Sequence, residues 1–238
     1  MRQLTAALAV AGICILTAGC SGGNNQGTTT STTTSTITST TTSTTAPPVA
    51  EAALDGLLLS PAEVDTAMGA TGMTVTATST SMADDITVAP EAPKDRTACV
   101  GVVGIAEAPV YAGSGSTAVR DQLLEGPSDN GALSADQSVV LFPSADQAAA
   151  FFAASAQRWS ACQQSTQKDS VPTVGPVSNT NGTLSTSLTY QNENAPDSVC
   201  ERALTVNNNV AIDVSTCGAP SDSAVKIAEQ IAAKLPRQ

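Results

Sequence analysis

Histidine is absent from this 238-residue chain. Without it there is no Ser-His-Asp or Cys-His pair, and no side chain whose ordinary titration suits a general base near neutrality. Basic residues are scarce as well, ten Lys and Arg against 21 Asp and Glu, for a net charge of −11. They form no cluster, which excludes a nucleic-acid-binding surface and adsorption to anionic lipid. Aromatic side chains number only three Phe, two Tyr and one Trp, so the core must be built from Val, Leu, Ile and Ala. No two cysteines stand at Cys-x₂₋₄-Cys spacing, and with no histidine this argues against zinc or any other metal site and against thiol redox chemistry. Ser114-Gly115-Ser116 lacks the G-x-S-x-G frame of a nucleophile elbow, and Asp84-Asp85 reads as a solvated loop pair. The expectation is a non-catalytic protein with no cofactor.

The amino terminus is of another kind. Arg2 is followed by the apolar run Leu4 to Leu16 and by Thr17-Ala18-Gly19-Cys20. A basic start, a short apolar core and small residues before a cleavage point mark a signal peptide over residues 1–19. The Leu-Thr-Ala-Gly-Cys junction resembles a bacterial lipobox, which implies cleavage before Cys20 and acylation of that residue; Thr17 stands where Leu is commoner. Residues 20–49 then hold the anchor cysteine and a Ser/Thr-rich linker that has almost no apolar surface to bury and ends at Ala46-Pro47-Pro48. Such a coil would hold a domain roughly 30 Å from the membrane. The implied location is the outer face of a cell membrane, with the lipid anchor as the membrane contact.

Residues 50–238 form one domain's length and carry Cys99, Cys162, Cys200 and Cys217. In an exported domain four cysteines imply two disulfides. The stretch Ser198 to Cys217 reads as a β-hairpin with Asn208-Asn209 as a two-residue loop, since Asn tolerates positive φ. Asn207 then faces Val210, and the same register sets Cys200 opposite Cys217. That pair falls at a non-hydrogen-bonded position, where side chains approach most closely. Pairing Cys200 with Cys217 leaves Cys99 for Cys162.

The remaining elements read in order. Ser60-Pro61-Ala62-Glu63 is a capping box with Pro at the first helical position, Leu59 and Val64 form a hydrophobic staple, and the helix stops at Gly69. Residues 52–58 suit another short helical turn. A strand is expected over 73–80, a loop over 82–96, a small apolar run of ambiguous type over 99–106, and strands over 117–123 and 137–142. Ser144 and Gln147 cap a long helix whose Ala148, Phe151, Phe152, Ser155, Trp159 and Cys162 share a face. Strands follow over 174–177 and 183–191, then the hairpin, then a helix over 221–235 with Ala224, Ile227, Ala228, Ile231 and Leu235 as its apolar stripe. The fold class is α+β: a largely antiparallel β-sheet flanked by helices, with two disulfides. Within the hairpin, Arg202 faces Ser215 and lies diagonal to Asp213, which suggests a surface ion pair of little energetic weight. Tyr111 and Arg120 flank the Gly/Ser turn and are the candidate ligand-binding residues.

Several segments together resemble the PknH-like extracellular sensor domain family. They are L-L-L-S-P-A-E-V (57–64) with M-G-A-T-G-M (68–73), V-Y-A-G-S-G-S-T-A-V-R-D-Q (110–122), F-P-S-A (142–145) with W-S-A-C (159–162), and V-C-E-R-A-L-T-V-N-N-N-V-A-I-D-V (199–214). The family includes the external domain of a mycobacterial receptor Ser/Thr kinase and stand-alone lipoproteins. The resemblance implies a sheet flanked by helices, disulfides Cys99–Cys162 and Cys200–Cys217, and a cleft for an unidentified ligand. Where the family usually has Trp after G-S-G, this chain has Ser116. The expected role is a surface lipoprotein that binds a small molecule or envelope component; the alternative is an interaction module for another envelope protein.

Overall fold

Alternation along the strands decides which side each residue faces, and the sheet they form is covered on both sides. The computed structural model describes residues 46–84, 94–127, 133–163, 172–191 and 197–236. The signal peptide, Cys20, most of the linker, Asp85 and the tip of the loop after Glu125 lie outside the described residues.

The chain begins with a 3-10 turn (Glu51–Gly56) and helix α1 (Pro61–Met68). Strand β1 (Thr74–Ser79), helices α2 (Lys94–Val103) and α3 (Ala108–Tyr111), and strands β2 (Ala118–Glu125) and β3 (Ser134–Leu141) follow. Then come α4 (Ala145–Gln163), β4 (Thr173–Val174), β5 (Ser178–Thr180), β6 (Thr183–Tyr190), β7 (Ser198–Asn207), β8 (Val210–Cys217) and α5 (Ser223–Ala233). The sheet runs β1-β2-β3-β8-β7-β6, with β4 and β5 sharing the outer edge of β6, and every pairing of these strands is antiparallel.

The hairpin has the expected register, from Cys200 opposite Cys217 to Asn207 opposite Val210. Both disulfides form, Cys99–Cys162 and Cys200–Cys217, the latter across a Cα–Cα distance of 4.0 Å. Asn208 takes the positive φ of the turn, +54°. Asn209 does something the turn itself does not require. Its buried amide donates to Phe142 O and Val49 O and accepts from Val49 N, while Asn208 donates to Pro47 O. The hairpin tip therefore grips the segment by which the chain enters the domain.

One face of the sheet carries the 3-10 turn, α1 and α5 over Leu124, Val139, Ala203, Val210, Ile212 and Val214. The other carries α2, α3 and α4 over Val119, Val140, Leu184, Leu188, Leu204 and Ala211. The α5 stripe is buried as read, from Ala224 to Leu235. On α4, Trp159 and Phe151 are buried while Phe152 is half-exposed. Each fully buried aliphatic or aromatic side chain contributes about 1.5–3 kcal/mol. In the capping box of α1, Ser60 N and Oγ both donate to Glu63 Oε2, at 2.7 and 2.8 Å. The Ser60 backbone bond is the main reason the Glu63 carboxyl sits below its ordinary value. Gln137, fully buried, accepts from Leu59 N and donates to Leu59 O and Gln122 Oε1, docking the start of α1 on the sheet.

Four expectations shift. The strand expected over 174–177 is only Thr173–Val174, and a separate strand, Ser178–Thr180, forms where the connection was expected. Helix α2 starts at Lys94, inside the stretch expected as a loop, and residues 99–103 of the ambiguous apolar run form its second half. Strand β3 starts at Ser134, earlier than its apolar centre suggested, because Ala135 is buried on the α1/α5 face. The Arg202–Asp213 pair is no surface pair. Its side chains are 1% and 3% exposed, because the end of α2 covers the hairpin there.

Candidate functional site

Strand β2 presents alternate residues to the two sides of the sheet, and each side holds a distinct polar group. Towards the 3-10 turn, Arg120 donates through Nε to Asp55 and through Nη2 to Glu51 Oε1 at 3.4 Å, and Nη1 bonds to Val119 O. The Asp55 hydrogen bond is the first cause that raises the Arg120 pKa above its ordinary value. The two acids are themselves exposed, so the guanidinium lies in a surface network at the mouth of a groove. That groove, about 360 Å³, is lined by Asp55, Leu58, Thr78, Ser79, Thr80, Arg120, Asp121 and Gln122. Its walls offer hydroxyl, amide, carboxylate and guanidinium groups and one apolar side chain. A smaller depression of about 250 Å³ lies beside Ser185, Ser187, Val199 and Glu201.

The other side of the sheet holds a buried polar core. Arg202 donates to Val102 O and Gly104 O at 2.8 and 2.9 Å, and to Val214 O at 2.9 Å. Its Nη2 also lies 2.8 Å from Asp213 Oδ1, and its guanidinium carbon is 5.6 Å from the Trp159 ring centre. Asp213 Oδ2 accepts from Tyr111 OH at 3.1 Å and from Ala106 N at 3.4 Å, and Trp159 donates to Gly101 O at 2.9 Å. A cation at the carbonyl end of a helix complements the helix dipole, so Arg202 ties α2 to the hairpin. Tyr111 stacks on Phe151 with centroids 4.4 Å apart. Burial, then the Asp213 charge, push the Tyr111 phenol well above its usual value.

Beside this core, Asp121 of β2 and Asp136 of β3 face the same side, close enough that each carboxyl shifts the other's titration, and each has a buried Oδ1 that no hydrogen bond satisfies. Burial is the main cause that raises Asp136 to about 8, with the Asp121 charge adding to it. Burial likewise raises Asp121 to about 6, opposed by the neighbouring Asp136 carboxyl and reinforced by Asp213 and Glu107. Among the described residues, no group of three or more His, Cys, Asp or Glu is placed to hold a metal ion.

The structure therefore separates the two residues singled out in the sequence. Arg120 borders the groove on the α1/α5 side, and Tyr111 is buried on the α2/α4 side. The features that sequence reading missed are the Asp121–Asp136 pair and the hydroxyl lining from β1. Their signal, same-parity residues on paired strands, appears only once the register of β1, β2 and β3 is known.

The family described as the PknH-like extracellular domain matches residues 49–234. The chain belongs to this family. Serine/threonine-protein kinase PknH of Mycobacterium bovis is 35% identical over 198 residues, covering 80% of this chain and 32% of that protein. PknH of Mycobacterium tuberculosis matches at the same identity and covers 30% of its length, so the chain spans about a third of these relatives. The crystal structure of the extracellular domain of PknH from Mycobacterium tuberculosis superposes with a TM-score of 0.68 at 34% identity. That match covers 79% of this chain and 97% of the PknH domain. As a PknH-like extracellular domain, the region from Val49 onward has the antiparallel sheet, flanking helices and two disulfides described above. No helix among the described residues is long and apolar enough to cross a membrane.

Proposed function

We propose that this protein is a lipoprotein of the outer membrane face, anchored through Cys20, whose PknH-like domain binds a small molecule or envelope component as a non-catalytic sensor or carrier. Residues 1–19 serve as the signal peptide, residues 20–49 as anchor and linker, and residues 50–238 as the binding domain. The observation that carries the reading is the groove beside Arg120. Its volume, about 360 Å³, is within the usual range for small-ligand sites, and it groups several hydrogen-bonding side chains around one cation. Asp55 and Glu51 already neutralise that cation, so the groove suits a hydroxyl-rich or zwitterionic ligand better than a bare anion. Tyr111 acts from the opposite side of the sheet, by fixing the core beneath β2.

A thermal-shift screen of envelope lipids, glycans and polar metabolites tests this directly. A ligand that raises the melting temperature of the native chain and loses that effect in Arg120→Ala supports it. A screen in which every hit stabilises Arg120→Ala equally would sink the assignment. The competing form of an interaction module, one that docks through an exposed apolar patch, finds little here. Among the described residues only Val75 and Val199 are large, apolar and exposed, and they sit on different strands.

A further inference from the structure

The corner that joins α2 to α3, residues 104–107, is strained, buried and held down by charged groups. Ala106 takes a φ of +47°, a left-handed conformation that a residue with a side chain disfavours. It is buried, as is Glu107 beside it. Two side chains of the sheet hold this corner. Arg202 donates to Val102 O and Gly104 O, while Asp213 accepts from Ala106 N and Tyr111 OH. The segment after β1 is tied to it as well, since Ala83 N donates to Ala106 O and Ala83 O accepts from Ala108 N.

The sheet face beneath the corner carries more acid than base. Asp121 stands opposite Ser138, which stands opposite Asp213, and Asp136 lies two residues from Ser138 on the same face of β3. One oxygen each of Asp121 and Asp136 is buried with no hydrogen bond. Among the described residues, the other groups whose charge acts here are Asp213 of β8, Arg202 of β7 and, from the corner itself, Glu107. The Tyr111 phenol of α3 also faces this cluster and stays uncharged, its pKa raised by burial. Asp84, next to Ala83, is exposed. Four carboxyl groups thus meet one cation, and Arg202 is already committed to Asp213 and three carbonyls.

We propose that the α2–α3 corner is a proton-operated latch, closed on the sheet while Asp121 and Asp136 hold protons and released when both ionise. Ionised Asp121 repels Glu107, which the corner carries, and both new charges crowd Asp213, which holds Ala106 and Tyr111. Opening the corner admits water to the two carboxylates, which relieves the repulsion and their desolvation together. The strain at Ala106 is released in the same movement. Burial is the first cause that raises both carboxyls above 3.8, so the closed form binds more protons than the open one. It is therefore favoured in mild acid and loses that advantage as pH rises through about 6 to about 8. Each proton held by the closed form alone shifts the balance by about tenfold per pH unit in that window. The latch lies on the α2/α4 side of the sheet and stands whether or not the groove beside Arg120 is filled.

Amide hydrogen exchange of the full native chain at about pH 5.5 and about pH 8.5, corrected for the intrinsic pH dependence of exchange, tests the proposal. Each pH is run with and without urea at about 1 M, below the unfolding transition. Amides of residues 101–111 are expected to exchange faster than those of residues 203–212 in the hairpin and to ignore the urea, as a local opening does. Their protection is expected to fall at least tenfold at the higher pH, and by less than threefold in Asp121→Asn/Asp136→Asn. Corner amides that exchange at the hairpin's rate and with its urea dependence at the higher pH would overturn the proposal, because only global unfolding would then be responding. Corner protection that is the same at both pH values would overturn it, as would a full tenfold fall in the double variant. The native chain's pH and urea profiles decide the matter even where that variant fails to fold.

Discussion

Replacing Arg202 with Met keeps the apolar stem of the side chain but removes its charge and donors. Four acceptors then lose this donor: the carbonyls of Val102, Gly104 and Val214, and the Asp213 carboxylate. Breaking a buried pair from one side costs about 3–5 kcal/mol, because the remaining charge stays desolvated. The carbonyls of Val102 and Gly104 left without this donor and the lost contact with Trp159 add to this, so about 5 kcal/mol is expected in all. Domains are stable by about 5–15 kcal/mol, so the variant should be barely folded. With a urea m-value of roughly 2 kcal/mol/M the midpoint should fall by about 2.5 M. Asp213→Asn keeps an oxygen for Tyr111 and Ala106 and should cost less. In Arg202→Met/Asp213→Asn no unpaired charge remains, so the double variant should be more stable than Arg202→Met alone. Urea denaturation followed by Trp159 fluorescence reads all three. A midpoint shift under 0.5 M for Arg202→Met, or strict additivity in the cycle, would refute the view that this pair fastens α2 to the hairpin.

Other outcomes follow from the same geometry. Asp121 and Asp136 hold protons in the folded state above the ordinary carboxyl value of 3.8, so the native state binds more protons than the unfolded chain. Stability should therefore fall as pH rises from about 4 to about 8 and level off above, and Asp136→Asn should flatten the slope in thermal melts; an equal slope in the variant would contradict it. Loss of Cys99–Cys162, which spans 63 residues, should cost about 4 kcal/mol, and loss of Cys200–Cys217, which spans 17, about 3 kcal/mol, by chain entropy; the reverse order in urea titrations would count against the loop-length account. Cys20→Ala should move the protein from the membrane to the soluble fraction, and unchanged fractionation would remove the anchor.

What could be read in the sequence was whatever one segment settles alone. The Ser60–Glu63 box, the α4 and α5 stripes and the register of β7 against β8 depend on neighbours a few residues apart, and the structure retains them. Arg202 and Asp213 show the limit. The hairpin register correctly set them diagonal, but their burial comes from α2, about 100 residues earlier in the chain. Asn209 was readable as a turn former and not as the ligand of Val49 and Phe142. Glu201 is similar, since its carboxylate accepts Asp222 N and Ala224 N and so caps α5 from another element. The groove was the least readable feature, because Thr78, Arg120 and Asp55 meet only when β1, β2 and the 3-10 turn are assembled.

The most direct test of the functional account is to record backbone amide shifts of the isotope-labelled mature chain while adding the strongest stabilising compound from the envelope screen. The account predicts saturable shifts confined to Thr78–Thr80, Arg120–Gln122 and the turn around Asp55 and Leu58. Shifts centred on the depression at Ser185, Val199 and Glu201, with the Arg120 groove silent, would contradict it.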